Sequence, residues 1–111
     1  MNYEQNDLDN KEVFKKNYIF EENKKLNQQR DKELKAGFVV SDVFMNEDII
    51  KTMAVQHNIA LDDEVIEWID INNQTVTFSK VDFGALIKAG SQKIKEIYFK
   101  YRALKNELEE A

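Results

Sequence analysis

The C-terminal third of the chain has the most regular pattern of apolar positions. Between Ser79 and Ala111, apolar residues and one glycine recur at alternating spacings of four and three: Phe83, Ile87, Gly90, Ile94, Ile97, Tyr101, Leu104 and Leu108. This period predicts one long helix with an apolar seam of the coiled-coil type. Such a helix is about 48 Å long, more than the width of a domain of this size, so part of the seam must contact another helix or another chain.

Two shorter regions have the composition of β-hairpins. The run from Phe38 to Phe44 carries β-branched and aromatic residues on both sides of the polar pair Ser41 and Asp42. The runs 65–71 and 74–78 have the same character and flank two asparagines, a residue type that tolerates the positive φ of a tight turn. We therefore predict two hairpins.

Capping residues place the remaining helices. One helix is predicted from Glu21 to Ala36 and is ended by Gly37, whereas the first twenty residues are interpreted as a loose arm or as a helix that docks on a partner. Asn46 is placed to cap a second helix to about residue 58, and Ser79 to cap the C-terminal one.

The resulting order is helix, β-hairpin, helix, β-hairpin and long C-terminal helix, which is an α+β fold. We interpret residues 1–27 as an N-terminal arm or helix, and residues 28–111 as a single α+β domain with a protruding C-terminal helix. The length of 111 residues fits one domain, and a composition of 42% hydrophobic and 33% charged residues without proline is typical of a folded, helix-rich protein.

Composition excludes several kinds of chemistry. The chain has no cysteine, so disulfides, thiolate zinc sites and cysteine nucleophiles are excluded. Its first residues lack the basic start and apolar run of a signal peptide, and no segment approaches the roughly 20 apolar residues of a membrane span. We therefore expect synthesis in the cytoplasm and no membrane partner.

The formal charge of −5 is unevenly distributed along the chain. Residues 36–78 contain one basic side chain, Lys51, and eight acidic ones, which gives −7 for this segment. Phosphate backbones are bound by clustered Lys and Arg, so this distribution is evidence against nucleic-acid binding.

Three features could carry chemistry, and each has a simpler structural interpretation. Trp68 is expected to anchor a hairpin on the long helix; the alternative is a stacking platform for a sugar or base, with polar companions at 70, 75 and 77. The acidic residues at 62–64, 67 and 70 lack the glycine of a calcium loop, and Glu67 and Asp70 point to opposite faces of a strand. The single histidine, His57, has no second His or Cys to complete a metal site. We therefore expect no catalytic residues, no metal and no cofactor.

The chain also resembles a known family in three stretches. These are the run from Glu67 to Ser79, the C-terminal sequence from Arg102 to Leu108, and the upstream segment from Arg30 to Phe38. Across about residues 28–110 they resemble a domain of unknown function found in phage and prophage proteins, whose members often occur in tail-fibre or tail-assembly proteins. The resemblance implies a non-enzymatic structural or interaction domain of a prophage tail, in the cytoplasm or on the virion. The alternative is a soluble tail-assembly chaperone or regulator that binds its partner transiently.

The seam of the C-terminal helix is the best candidate for an interface. Within one molecule, the segment 21–35 could fold back antiparallel over it, but that segment offers few strongly apolar residues in return. We therefore expect self-association, or docking on a phage tail protein, through seven residues: Ile94, Ile97, Tyr98, Phe99, Tyr101, Leu104 and Leu108.

Overall fold

The computed structural model describes the backbone of residues 3–110 and the side chains of residues 11–110. The elements follow the predicted order, which confirms the α+β fold. They are α1 (Tyr3–Ala36), β1 (Phe38–Val40), β2 (Val43–Met45), α2 (Glu47–Ile59), β3 (Val65–Ile69), β4 (Thr75–Ser79) and α3 (Lys80–Glu110).

Both hairpins turn at the polar pairs identified in the sequence, and backbone angles and hydrogen bonds explain why. Ser41 and Asp42 have φ values of 49° and 63°, the pair of positive angles that a two-residue hairpin turn requires. In the second turn, Asp70 Oδ1 accepts the backbone N–H groups of Asn72 and Gln74, both at 2.9 Å. The N–H of Ile71 donates to the carbonyl of Asp42 at 2.8 Å, so the two hairpin turns are joined to each other.

The predicted caps are also present. The Asn46 side chain accepts the N–H of Ile49 at 2.8 Å, and Ser79 Oγ accepts the N–H of Asp82 at 3.1 Å. Gly37 ends α1 with a φ of 75°, a conformation that strains other residues. Each helix boundary near a hairpin is therefore fixed by a local hydrogen bond or by glycine.

The hydrophobic core lies between the N-terminal half of α3, α2 and the inner faces of both hairpins. Its largest fully buried side chains are those of Phe83, Met45, Met53 and Val43. The rings of Trp68 and Phe78 both lie 5.7 Å from the ring of Phe83, at tilted angles that favour aromatic pairs. Trp68 thus anchors the second hairpin on the long helix, as the sequence predicts.

Helix α1 packs antiparallel to the C-terminal half of α3. Two contacts show the direction: Glu33 pairs with Lys100, and Arg30, which is earlier in α1, shares a cleft with Glu109, which is later in α3. At a rise of 1.5 Å per residue, α3 ends beside about residue 24 of α1, and α1 continues for about 30 Å beyond it. The molecule is therefore elongated, with extents of 79 × 26 × 18 Å. Its radius of gyration is 21.9 Å, compared with about 13 Å for a compact chain of this length.

We call residues 3–20 of α1 the arm. Its backbone is helical and continues without interruption into the part of α1 that contacts α3. The proposed division of the chain between residues 27 and 28 thus falls inside a continuous helix, and residues 1 and 2 lie outside the described part.

Candidate interaction surface

The seven residues predicted to form an interface fall into two groups. Tyr101 is buried, with 8% exposure, and Ile94, Ile97 and Leu108 are half-buried. Ile94 packs against the hydrophobic core, and Ile97 lines a cleft between α1 and α3. The other three, Tyr98, Phe99 and Leu104, are exposed, and we call them the strip.

The seam between α1 and α3 is closed partly by polar groups. Tyr101 Oη donates to Glu33 Oε2 at 2.7 Å, and Lys100 Nζ lies 2.7 Å from both oxygens of the same carboxylate. Hydrogen bonds from Lys100 and then Tyr101 lower the pKa of Glu33, and the carboxylate in turn raises the pKa of Lys100 and of Tyr101. The cluster of Glu33, Lys100 and Tyr101 therefore covers part of the α3 seam, for which α1 offers few apolar partners.

Tyr98 connects three helices. Its hydroxyl donates to Glu47 Oε2 at 2.7 Å at the start of α2, and the Arg30 guanidinium of α1 lies 5.7 Å from the centre of its ring. The hydrogen bond to Glu47 raises the pKa of Tyr98. Tyr98 thus has an internal role as well as an exposed ring.

Phe99 is the most exposed member of the strip, at 59%. Beside it, Tyr98 and four charged side chains line a cleft of about 410 Å³; the charged residues are Arg30, Arg102, Lys105 and Glu109. Three of these four are basic, so the strip has a predominantly positive border.

The arm carries the larger exposed apolar surface. None of its residues is among the seven predicted interface residues, although a helix that docks on a partner is one of the two interpretations of residues 1–20. Phe14 is 74% and Phe20 66% exposed, and Val13 and Tyr18 are exposed as well. The sequence signal is that half of residues 11–20 are apolar or aromatic without forming one stripe. Such a pattern is typical of a helix that does not bury one face against its own domain.

The candidates for other chemistry have structural roles. Trp68 pairs with Val76, whereas Thr75 and Thr77 pair with Ile69 and Glu67, so the threonines lie on the opposite face of the hairpin from the tryptophan. The proposed stacking platform with polar companions is therefore not assembled.

His57 and the acidic residues also have local contacts. A Cβ at Gly84 would lie 2.8 Å from His57 Nε2, so this imidazole packs directly over the glycine. Asp70 organises its own turn, and Asp62 lies 3.6 Å from Lys80. Within the described part of the chain, no three His, Asp or Glu side chains lie in an arrangement that could hold a metal ion.

Comparison with known proteins gives one match. The model of a family described as "Domain of unknown function (DUF4376)" matches residues 21–111. No curated protein and no solved structure matches the chain. Over residues 3–110, none of the helices combines the length and the apolar character needed to cross a membrane.

Proposed function

The chain belongs to the DUF4376 family, and from that premise we propose that it is a non-enzymatic interaction domain that self-associates through its helical rod. By the rod we mean α1 together with α3 from Ile94 onward. The observation that carries this proposal is the arm, which extends α1 about 30 Å past the end of α3 with large apolar side chains exposed.

Exposed aromatic surface of this kind is unfavourable unless a partner covers it. Burying one large apolar side chain contributes roughly 1.5–3 kcal/mol, and contiguous exposed apolar patches on proteins commonly mark interaction sites. The strip adds Phe99 and Leu104 on the other helix of the rod. A second copy of the chain offers the same surfaces at the same concentration, which favours self-association.

The resemblance to phage and prophage proteins supports a narrower proposal, in which this domain is part of a prophage tail. Mass spectrometry of purified particles tests it directly. A stoichiometric tail component is recovered with the particles after stringent washing. Recovery from the lysate but not from particles instead indicates a transient assembly factor, and recovery with neither contradicts the tail proposal.

Light scattering of the purified protein tests self-association. We expect an oligomer at tens of micromolar, and we expect Phe99→Asp combined with Phe14→Asp to shift it to the monomer, because a charge in an apolar interface costs several kcal/mol unless it is paired. Val81→Asp is the control, since Val81 is also exposed to solvent but lies in the first turn of α3, outside the rod. A wild-type monomer at this concentration overturns the proposal.

A further inference from the structure

A second apolar surface lies at the opposite end of the molecule. Ile59 at the end of α2 and Val65 at the start of β3 line a cleft of about 370 Å³, and they are 71% and 61% exposed. Leu61, in the loop between them, is 68% exposed. We use the name distal cleft for this cleft together with the side chains of Ile59, Leu61 and Val65.

The border of the distal cleft is acidic. Glu64 and Glu67 line it, and Asp62 and Asp63 precede Glu64 in the loop before β3. From residue 52 to residue 79 the chain has five carboxylates and no Lys or Arg. The nearest cation, Lys80, is already engaged, because its Nζ donates to the carbonyl of Ala60 at 2.8 Å and lies 3.6 Å from Asp62. Exposed apolar side chains beside an acidic border favour an amphipathic partner that carries positive charge.

The arm has the complementary chemistry. Lys11, Phe14, Lys15 and Tyr18 stand at positions i, i+3, i+4 and i+7, so they share one face of α1. All four are exposed. This face presents two aromatic rings flanked by two ammonium groups, the arrangement that an acidic, apolar cleft binds.

An arm cannot reach the distal cleft of its own molecule. From Phe14 to Gly37 along α1 is about 34 Å, and from Ile97, which shares a cleft with Gly37, back to Lys80 along α3 is about 25 Å. Lys80 adjoins the distal cleft through Ala60. The two surfaces are thus about 60 Å apart on a continuous, antiparallel helix pair, so any pairing joins two molecules.

We infer that the arm of one copy binds the distal cleft of another copy, with Phe14 and Tyr18 against Ile59, Leu61 and Val65. Lys11 and Lys15 then face Glu64 and Glu67. The inference rests on the proposed self-association and names the surface that the arm binds. The strip is a poorer site for this basic face, because its border of Arg30, Arg102 and Lys105 repels lysine.

The contact joins two different surfaces at opposite ends of the molecule, so it is heterologous. Repeated contacts of this type produce a ring if they close and an open chain of copies if they do not. Because lysines and carboxylates meet at the border, we also expect association to weaken as the ionic strength rises.

Charge exchange between two variants tests the inference. The arm variant is Lys11→Glu/Lys15→Glu, and the cleft variant is Asp63→Lys/Glu67→Lys. Glu64 is kept because its Oε2 accepts the N–H of Leu61 at 2.8 Å and holds the loop. In analytical ultracentrifugation, we expect the concentration for half-association to rise at least tenfold for each variant alone. An equimolar mixture should associate again, since each reversed surface then meets an opposite charge on the other variant.

The control for the arm variant is Lys51→Glu/Lys88→Glu, which makes the same change in net charge as that variant at exposed sites outside both surfaces. Circular dichroism and thermal melting establish that each variant is folded. If the wild type associates but the cleft variant associates equally well, the inference is overturned and self-association stands. If both variants dissociate but their mixture does not recover, the arm binds elsewhere and the inference is also overturned. A monomeric wild type overturns both proposals.

Discussion

Two tyrosines one turn apart on α3 each hold a carboxylate on another helix. Tyr101 donates to Glu33 of α1, and Tyr98 donates to Glu47 of α2. Both residues belong to the interface predicted from the seam of the C-terminal helix. Their hydroxyl groups instead contribute to the fold, so substitutions at these two positions affect stability as well as any association.

We predict that Tyr101→Phe destabilises the protein more than Tyr98→Phe. Tyr101 is buried, and removal of its hydrogen bond to a carboxylate should lower the free energy of unfolding by about 1 kcal/mol. Tyr98 is more exposed, and water replaces its bond to Glu47 at little cost. Urea denaturation of the two variants measures the difference, and an equal effect would contradict the prediction.

The cluster of Glu33, Lys100 and Tyr101 predicts that the stability of the protein depends on pH in the acidic range. The pKa of Glu33 is lower in the folded protein than its ordinary value of 4.5, mainly because of hydrogen bonds from Lys100 and Tyr101. The stabilisation is therefore present above pH 4.5 and is lost as the pH falls through the lowered pKa. We expect Glu33→Gln to destabilise the protein at pH 7 and to have a smaller effect near pH 3. An effect of equal size at both values would show that the charge has no role.

At the scale of elements, α3 is approached closely at two glycines with different neighbours. A Cβ at Gly90 would lie 2.4 Å from Met45 Cε and 3.1 Å from Ile50 Cδ1, both in the core. A Cβ at Gly84 would meet the end of the His57 ring, which is only half-buried. The first hairpin and α2 therefore depend on the absence of a side chain at Gly90.

We predict opposite outcomes for alanine at these two glycines. Each substitution gains about 1 kcal/mol of helix propensity. At Gly90 the fully buried side chain of Met45 must shift within the core, and overpacking costs typically 1–3 kcal/mol, so Gly90→Ala should lower the melting temperature. At Gly84 the imidazole can turn toward solvent, so Gly84→Ala should be neutral or slightly stabilising. Differential scanning calorimetry of both variants measures the difference in melting temperature. A Gly90→Ala variant as stable as Gly84→Ala would contradict this account of the packing.

At the scale of the whole molecule, the hydrophobic core and the surface proposed for assembly lie in different parts. The core lies around the N-terminal half of α3, whereas the arm's described side chains are almost entirely solvent-exposed. Ile19 is the first half-buried side chain among the described residues of α1. The exposed side chains of the arm therefore contribute little to the stability of their own molecule.

We predict that deletion of residues 1–18 leaves the free energy of unfolding within about 0.5 kcal/mol of the wild type, because exposed positions away from packing contribute little. The same deletion should abolish self-association in light scattering, and it should shorten the monomer in small-angle X-ray scattering. Loss of stability well beyond this value would show that the arm packs on its own domain.

Local sequence patterns determined the α+β order of elements. The pair Ser41 and Asp42, the Asn46 cap and the seam of α3 each act within a few residues, where backbone angles and short hydrogen bonds decide the conformation. The family resemblance to a domain of unknown function is confirmed over a somewhat longer range, from residue 21, while its link to phage tails stays a prediction.

Only the tertiary structure decided which of the seven predicted interface residues are exposed. Their exposure depends on the register between α1 and α3, and that register is set by pairs such as Glu33 with Lys100, which lie 67 residues apart. The same register determines that α1 extends beyond α3. The spacing of residues along one helix specifies which side chains share a face, but it does not specify where a neighbouring helix begins or ends.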